Sequence, residues 1–332
     1  MTRQHVRSQD RRLAIFYEHP EWFGPLFAEL DRRGVGYDRL LASRHRFDPA
    51  ERHCPYALVV NRMSPSAYTR GHAQAVFYTL QYLAYLKEIG ANVLNGYDAY
   101  VYEFSKARQL SLFARLGLRS PRARVINHPS EAPAAAEGLT FPVLVKPNIG
   151  GSGAKIVRVN TLGELRMAVE AGGIDLGIDH TALVQEYLPA EGNSIVRVEV
   201  LNGTYLYAIR LFLTPEEFNL CPADYCRLPE PEGRPGRGGL ADGVSGRGVP
   251  VEGCTPPPRV IEDVKRITAA AQIEVGGVEY LVNARDGQVY YYDVNALSNF
   301  VADAPRVVGF DPFPRLVDYL LLRAGLSEPA AV

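Results

Sequence analysis

Lysine is scarce in this sequence. Of 36 basic residues only five are lysines, Lys87, Lys106, Lys146, Lys155 and Lys265, and the rest are arginines. Against that background a retained ammonium marks a place where a compact point charge is wanted rather than a planar fork. Cysteine is scarcer still. Cys54, Cys221, Cys226 and Cys254 are too few to staple 332 residues, which excludes a disulfide scaffold. Cys221 and Cys226 lie close together, but no second pair or neighbouring histidine completes a zinc set. No apolar run approaches the length of a membrane span. The run that follows the polar, basic start, Leu13–Tyr17, is too short for the core of a signal peptide, so a cytoplasmic location is expected. Neither sign of charge is in excess, with 36 basic against 37 acidic residues. That balance excludes a general nucleic-acid or anionic-membrane surface, and any anion site must be local.

What is present is enough apolar content, 47% of 332 residues, to bury a full core, and the length suits two or three domains. Residues 1–10 are expected to be a disordered start. A strand over 12–17, a helix over 25–33 ending at Gly34, a strand over 56–60, a helix over 72–89 ending at Gly90 and a short strand over 92–94 follow. They predict an α/β unit with a largely parallel sheet, spanning 11–104. Ser105 is placed to cap a helix over 106–116 that stops at Gly117. Beyond it strands dominate, at 124–126, 143–146, 156–159, 183–187, 195–201 and 204–212, with a helix at 162–171. This mixture predicts an α+β nucleotide-binding body, with a small lobe over 105–187 and a carboxy-terminal lobe over 188–325. Residues 228–258 are crowded with proline and glycine and are expected to be a mobile insertion. A helix at 259–272, a hairpin at 278–294 and a last helix at 314–324 complete the pattern.

Two segments carry chemistry. The first runs Val143-Leu-Val-Lys146-Pro-Asn-Ile-Gly150-Gly151-Ser152-Gly153-Ala-Lys155. Its glycines let the backbone approach a ligand and aim successive N–H groups at one anion, and Lys146 adds a point charge for phosphate oxygens. It is neither the Walker pattern nor the dinucleotide fingerprint, and a glycine-rich turn with no ligand fits it too. The second runs from Gly277 to Asn295. With Arg285-Asp286-Gly287 as a three-residue hairpin loop, Ala284 pairs with Gln288, and counting outward sets Glu279 opposite Asp293 with Asn295 on the same face. Facing carboxylates repel, and a divalent cation reverses the sign; two carboxylates and an amide oxygen suit Mg²⁺. A solvated face with incidental acids is the alternative, and a two-residue loop would separate the acids.

In order and content these pieces resemble the ATP-grasp superfamily, in the branch of glutathione synthetase and the RimK-like amino-acid ligases. The resemblance covers roughly residues 55–325 and implies an ATP-grasp fold behind an amino-terminal α/β (pre-ATP-grasp) domain. Ser105-Lys106 and Ser120-Pro121-Arg-Ala-Arg124 look like the family's first ATP-contacting lysine and the strand after its helix. Lys146 matches the second lysine, and Gly150, Gly151, Ser152 and Gly153 match the flexible loop. Val184-Gln185-Glu186-Tyr187-Leu188 looks like the hinge at the adenine edge, and Glu191 would meet the ribose. Glu279, Asp293 and Asn295 match the metal-binding acid, acid and asparagine. Arg197 matches an arginine near the γ-phosphate and the acyl phosphate, and Arg210 a second basic position on the neighbouring strand. Arg62, after the strand at 56–60, is either a substrate-carboxylate ligand or a plain loop arginine.

The resemblance implies an ADP-forming ligase that uses ATP and Mg²⁺, for which Mn²⁺ can substitute. It would join a carboxylate to an amine, from amino acids or short peptides, through an acyl phosphate. Two departures fall where the second substrate should bind. Asn295-Ala-Leu-Ser298-Asn299 replaces the family's Asn-x-Ser-Pro-Gly, and the strand with Arg210 runs into the long insertion. They suit a specialised biosynthetic enzyme, for a peptide-like product. A small-molecule kinase and a non-catalytic ATP-binding module are the rival readings. A homodimer is expected, with no nucleic-acid or membrane partner.

Overall fold

In the computed structural model, which describes residues 12–19, 21–151, 153, 155–213 and 250–326, the chain forms three sheets in succession. The first has the order β2-β1-β3-β4, all parallel, from β1 (Leu13–Tyr17), β2 (Tyr37–Leu41), β3 (Leu58–Arg62) and β4 (Val93–Leu94). β1 is apolar throughout because both its faces are covered. Leu13 and Ile15 cluster with α1 (Gly24–Arg32) and the last helix, Phe313–Ala324, while Ala14 and Phe16 cluster with α2 (Ala73–Glu88). Two short helices, α3 (Tyr97–Glu103) and α4 (Lys106–Arg115), lead out of this layer.

The second sheet is antiparallel, in the order β5-β8-β6-β7, with β5 (Ala123–Ile126), β6 (Val143–Pro147), β7 (Val157–Val159) and β8 (Ala182–Glu186). One face packs on α5 (Ala132–Ala135) and α6 (Leu162–Glu170). α6 starts where the Thr161 side chain accepts from the Glu164 N–H at 3.1 Å. The third sheet, order β11-β10-β9-β12-β13, is also antiparallel and joins β9 (Ser194–Leu201), β10 (Thr204–Phe212), β11 (Val251–Cys254), β12 (Val275–Val282) and β13 (Val289–Asn295). Val196, Val198 and Val200 pack against α7 (Pro258–Ala270) and α4. The chain closes with α8 (Ala304–Val308) and α9 (Phe313–Ala324). No helix among the described residues is long and apolar enough to cross a membrane.

The sequence pattern and the structure part at several points. β2, α3, β11 and α8 are absent from the expectation. β2 is a half-exposed edge strand, Tyr-Asp-Arg-Leu-Leu, without clean alternation, and α3 is seven residues dominated by aromatics and one valine, weak helix formers. The stretch 228–258 expected as a mobile insertion needs correction at its end. Val251–Cys254 is a strand paired with β10, and Gly253 lies so close to α8 that a Cβ would meet the Val307 carbonyl oxygen at 2.5 Å. Residues 228–249, Cys221, Cys226 and the start 1–10 lie outside the described residues. β3 begins two residues later than expected and carries Arg62 at its end, so Arg62 is a strand residue rather than a loop residue.

Candidate active site

Alternation along β9 builds the floor of the site. Because Val196, Val198 and Val200 face the helices, Arg197 and Glu199 face the other way, and they are only 6% and 2% exposed. Above them lies a cavity of about 300 Å³, walled by the second sheet and by residues 64–66 of the amino-terminal layer. Burying two charges in such a place is costly unless each is paired. Arg197 Nε donates to Glu199 Oε1 at 2.6 Å and Nη1 donates to Glu279 Oε1 at 3.4 Å.

Glu279 faces Asp293 across β12 and β13, and Asn295 faces Gly277 one step further along. The facing pair is as expected, but the route to it differs. Asn283 N–H bonds the Gln288 carbonyl at 2.9 Å, so the loop is the four residues 284–287, which alone would put the strands one residue out of register. A bulge between Tyr280 and Glu279 on one strand and their partners on the other takes up Tyr292 and restores the pairing. Gly276 makes the close approach possible, since a Cβ there would meet the Asn295 carbonyl at 2.4 Å.

The electrostatics of the cavity are unbalanced in two places. Burial, then the charge of Asp293, pushes Glu279 up to about 7. Burial, then the neighbouring Lys106, pulls Lys146 down to about 7. Lys106 Nζ bonds Asp293 Oδ1 at 2.6 Å; burial opposes its charge, but Asp293 outweighs that and holds it above its ordinary value. A carboxylate pair is thus crowded at one end and a lysine pair beside it. Among the described residues no three His, Cys, Asp or Glu side chains gather as a metal set. The candidate set is therefore Glu279, Asp293 and the Asn295 amide, oxygen donors that suit Mg²⁺ with water and phosphate completing its shell.

The glycine loop folds over this end. A Cβ on Gly150 would come within 3.0 Å of Lys106 Cε, and one on Gly151 within 2.6 Å of Ser66 Cβ. Gly151 is thus required by its contact with the amino-terminal layer, whatever the loop binds. Lys155 anchors the far side through Asp175 at 2.7 Å. Gly153 lines the cavity in the left-handed region, and Ser152 lies outside the described residues. Asn148, just before the loop, caps α4: its Oδ1 accepts from Ala107 N at 2.9 Å and from Ser105 Oγ at 3.1 Å. Loop and Lys106 are therefore one mechanical unit.

Gln185, Glu186, Tyr187 and Leu188 all line the opposite end. The N–H groups of Glu186 and Tyr187 are already used by the carbonyls of Arg122 and Pro142, and the Glu186 carboxylate accepts from Thr140 N at 2.8 Å. Gln185 Oε1 is buried without a partner. Three expected residues fall outside the cavity. Arg210 pairs with Val196 and so shares the face opposite Arg197; it is half-buried and bonded to Glu252 at 3.4 Å. Glu191 is exposed in the turn before β9, and Ala190 and Asn193 line the cavity instead. Arg62 is 1% exposed behind the wall, where Nη2 donates to the Ser298 carbonyl; burial, opposed by Glu199 and Glu103, lowers it to about 10. It buttresses the segment after Asn295 and does not line the cavity.

Two acids that line the cavity were not anticipated, Glu103 and Glu199. Burial, against the pull of the Leu297 N–H, raises Glu103 to about 7, and its carboxylate accepts from the N–H groups of Ala296 and Leu297. Glu199 had a signal: Val-Arg-Val-Glu-Val alternates charge with β-branched residues, and the valines face helices.

A family model described as the RimK-like ATP-grasp domain matches residues 104–218. Those residues run from the end of α3 through β10, and their likeness is to that domain. Among curated proteins the chain is 26% identical over 209 residues to the D-alanine–D-alanine ligase of Azoarcus sp. strain BH72, covering 60% of this chain and 64% of that one. It is 24% identical over 180 residues to a probable α-L-glutamate ligase 2 of Shewanella denitrificans, covering 50% and 59%. The chain thus spans about three fifths of the length of these relatives. Among solved structures, the ATP-grasp ligase PsnB complexed with a minimal precursor superposes with a TM-score of 0.63 at 18% identity, covering 95% of this chain and 100% of that one. That likeness establishes the ATP-grasp fold.

Proposed function

We propose that this chain is an ATP-dependent carboxylate–amine ligase that activates a carboxylate as an acyl phosphate and releases ADP and phosphate. The observation that carries the reading is the pair of buried imbalances, Glu279 against Asp293 and Lys146 against Lys106. Magnesium-bound triphosphate relieves both, with cation at the acids and phosphate at the lysines. Glu279, Asp293 and Asn295 would hold Mg²⁺, which supplies charge neutralisation at the phosphates. Lys106, Lys146 and the backbone of Gly150, Gly151 and Gly153 would hold the triphosphate. Leu188 and the unpartnered Gln185 Oε1, an acceptor suited to an exocyclic amine, would meet the adenine. Arg197, held between two carboxylates, would stabilise the transferring phosphoryl group and the acyl phosphate that it becomes.

The names of the relatives support amino acids or short peptides as substrates: they are D-alanine and glutamate ligases, and PsnB has been solved with a precursor peptide and with Mg and ADP. The test is ADP release from MgATP with pooled amino acids and dipeptides, with and without hydroxylamine. Pool-dependent ADP and a trapped hydroxamate are expected from wild type, falling at least about 100-fold in Glu279→Ala. AMP and pyrophosphate as products, or ADP release that ignores both the pool and Glu279→Ala, would contradict it.

A further inference from the structure

Glu199 is a buried carboxylate to which the chemistry above gives only half a task. Its Oε1 accepts from Arg197 Nε, whereas Oε2 is buried with no hydrogen-bond partner in the structure. Native structures rarely leave such an oxygen bare, since it has lost its water and gained nothing in return. The Glu199 side chain lines the cavity. Its room is made by Gly277, the cross-strand neighbour on β12. A Cβ at 277 would stand 2.8 Å from Arg197 Nε and 3.0 Å from Glu199 Oε1, so any larger residue displaces the pair. The Arg197 guanidinium consequently has a carboxylate on either side. Glu279 belongs to the metal and triphosphate end, and Glu199 to the other.

Resting on the ligase reading, we propose that Glu199 is the acceptor-amine site: its free oxygen receives a primary ammonium and holds it beside Arg197, next to the acyl phosphate. The charge is of the right sign, the oxygen lacks a donor, and an ammonium brings three. The step balances without a further reactant. Glu199 takes a proton from the ammonium, and the freed nitrogen lone pair attacks the acyl carbon and forms the C–N bond. The C–O bond to phosphate breaks with its electron pair leaving on oxygen, and both protons lost by nitrogen end on the departing phosphate as dihydrogen phosphate.

Hydroxylamine separates this role from mere support of Arg197. It is uncharged at neutral pH, so it attacks the acyl phosphate without an anionic docking group. Glutamine at 199 keeps an oxygen for Arg197 Nε and loses the charge. With MgATP and the same pool, the ratio of amide product to trapped hydroxamate is read for wild type, Glu199→Gln and Glu199→Asp. The ratio is expected to fall at least about tenfold in Glu199→Gln, with a raised KM for the reactive amine, and to recover in part in Glu199→Asp. An unchanged ratio, whether both rates fall together or neither does, would overturn the proposal. Should Glu199→Gln not fold, the same ratio is read in Glu199→Ala, where a fall is expected and an unchanged ratio overturns the proposal. Absence of any ADP from wild type would instead overturn the ligase reading.

Discussion

Lys146 shows how a single residue carries the logic of the site. In the free protein burial and Lys106 hold it near 7, against an ordinary value of 10.5. Between those values the unfolded chain binds more protons than the folded one, so this lysine's effect on folding becomes more favourable as pH rises from about 7 to about 10. Triphosphate favours the charged form. Nucleotide binding near pH 8 is therefore expected to draw a proton from solvent, read by titration calorimetry in two buffers of different ionisation enthalpy. Lys146→Met should abolish that uptake, and binding without uptake in wild type would contradict the assignment. Lys106 and Lys146 were legible because lysine is rare here, so each one stood out. Arg197 and Arg210 were not separable by residue type: one position of strand parity sends the first into the cavity and the second to the opposite face. Glu103 was hidden inside α3, a helix with too little pattern to be read.

At the scale of elements, the helix that presents Lys106 depends on a residue that follows β6 of the second sheet. Asn148 accepts from Ala107 N and Ser105 Oγ and donates to Asp179 Oδ2 at 2.7 Å. Asn148→Ala should cost about 1–2 kcal/mol, as loss of a good helix cap does, seen as a lower midpoint in urea with an unchanged slope. It should also weaken ATP binding, because α4 and the glycine loop would no longer move as one; a variant with wild-type stability and affinity would dissociate them. The hairpin β12–β13 teaches a different lesson. The facing of Glu279 and Asp293 was legible, yet by an argument in which a loop one residue too short was matched by a bulge that went unseen. Loop length follows from backbone hydrogen bonds at Asn283, and bulges from local twist; neither leaves a clear mark on the order of residue types.

At the scale of the molecule, the amino-terminal layer and the third sheet meet behind the site through a few buried polar groups. Asn95 donates to the Val275 and Ala296 carbonyls, at 2.6 and 2.5 Å, and accepts from Glu274 N at 2.8 Å. Arg62 and Glu103 hold the backbone of Ala296, Leu297 and Ser298 just beyond Asn295. The segment that departs from the family pattern is thus clamped from the amino-terminal layer, and no local pattern in the sequence could show it, because the partners are some 180 to 240 residues apart. Most strands of the three sheets were legible from hydrophobic periodicity, and the ends of α1, α2 and α4 from the glycines that follow them. The measurement that tests the central claim most directly is the fate of carboxylate oxygen. With MgATP and pooled amino acids and dipeptides labelled with ¹⁸O in their carboxylates, the account predicts one ¹⁸O in the released inorganic phosphate and none in ADP. Label in AMP, or unlabelled phosphate alongside an amide product, would contradict acyl-phosphate ligation.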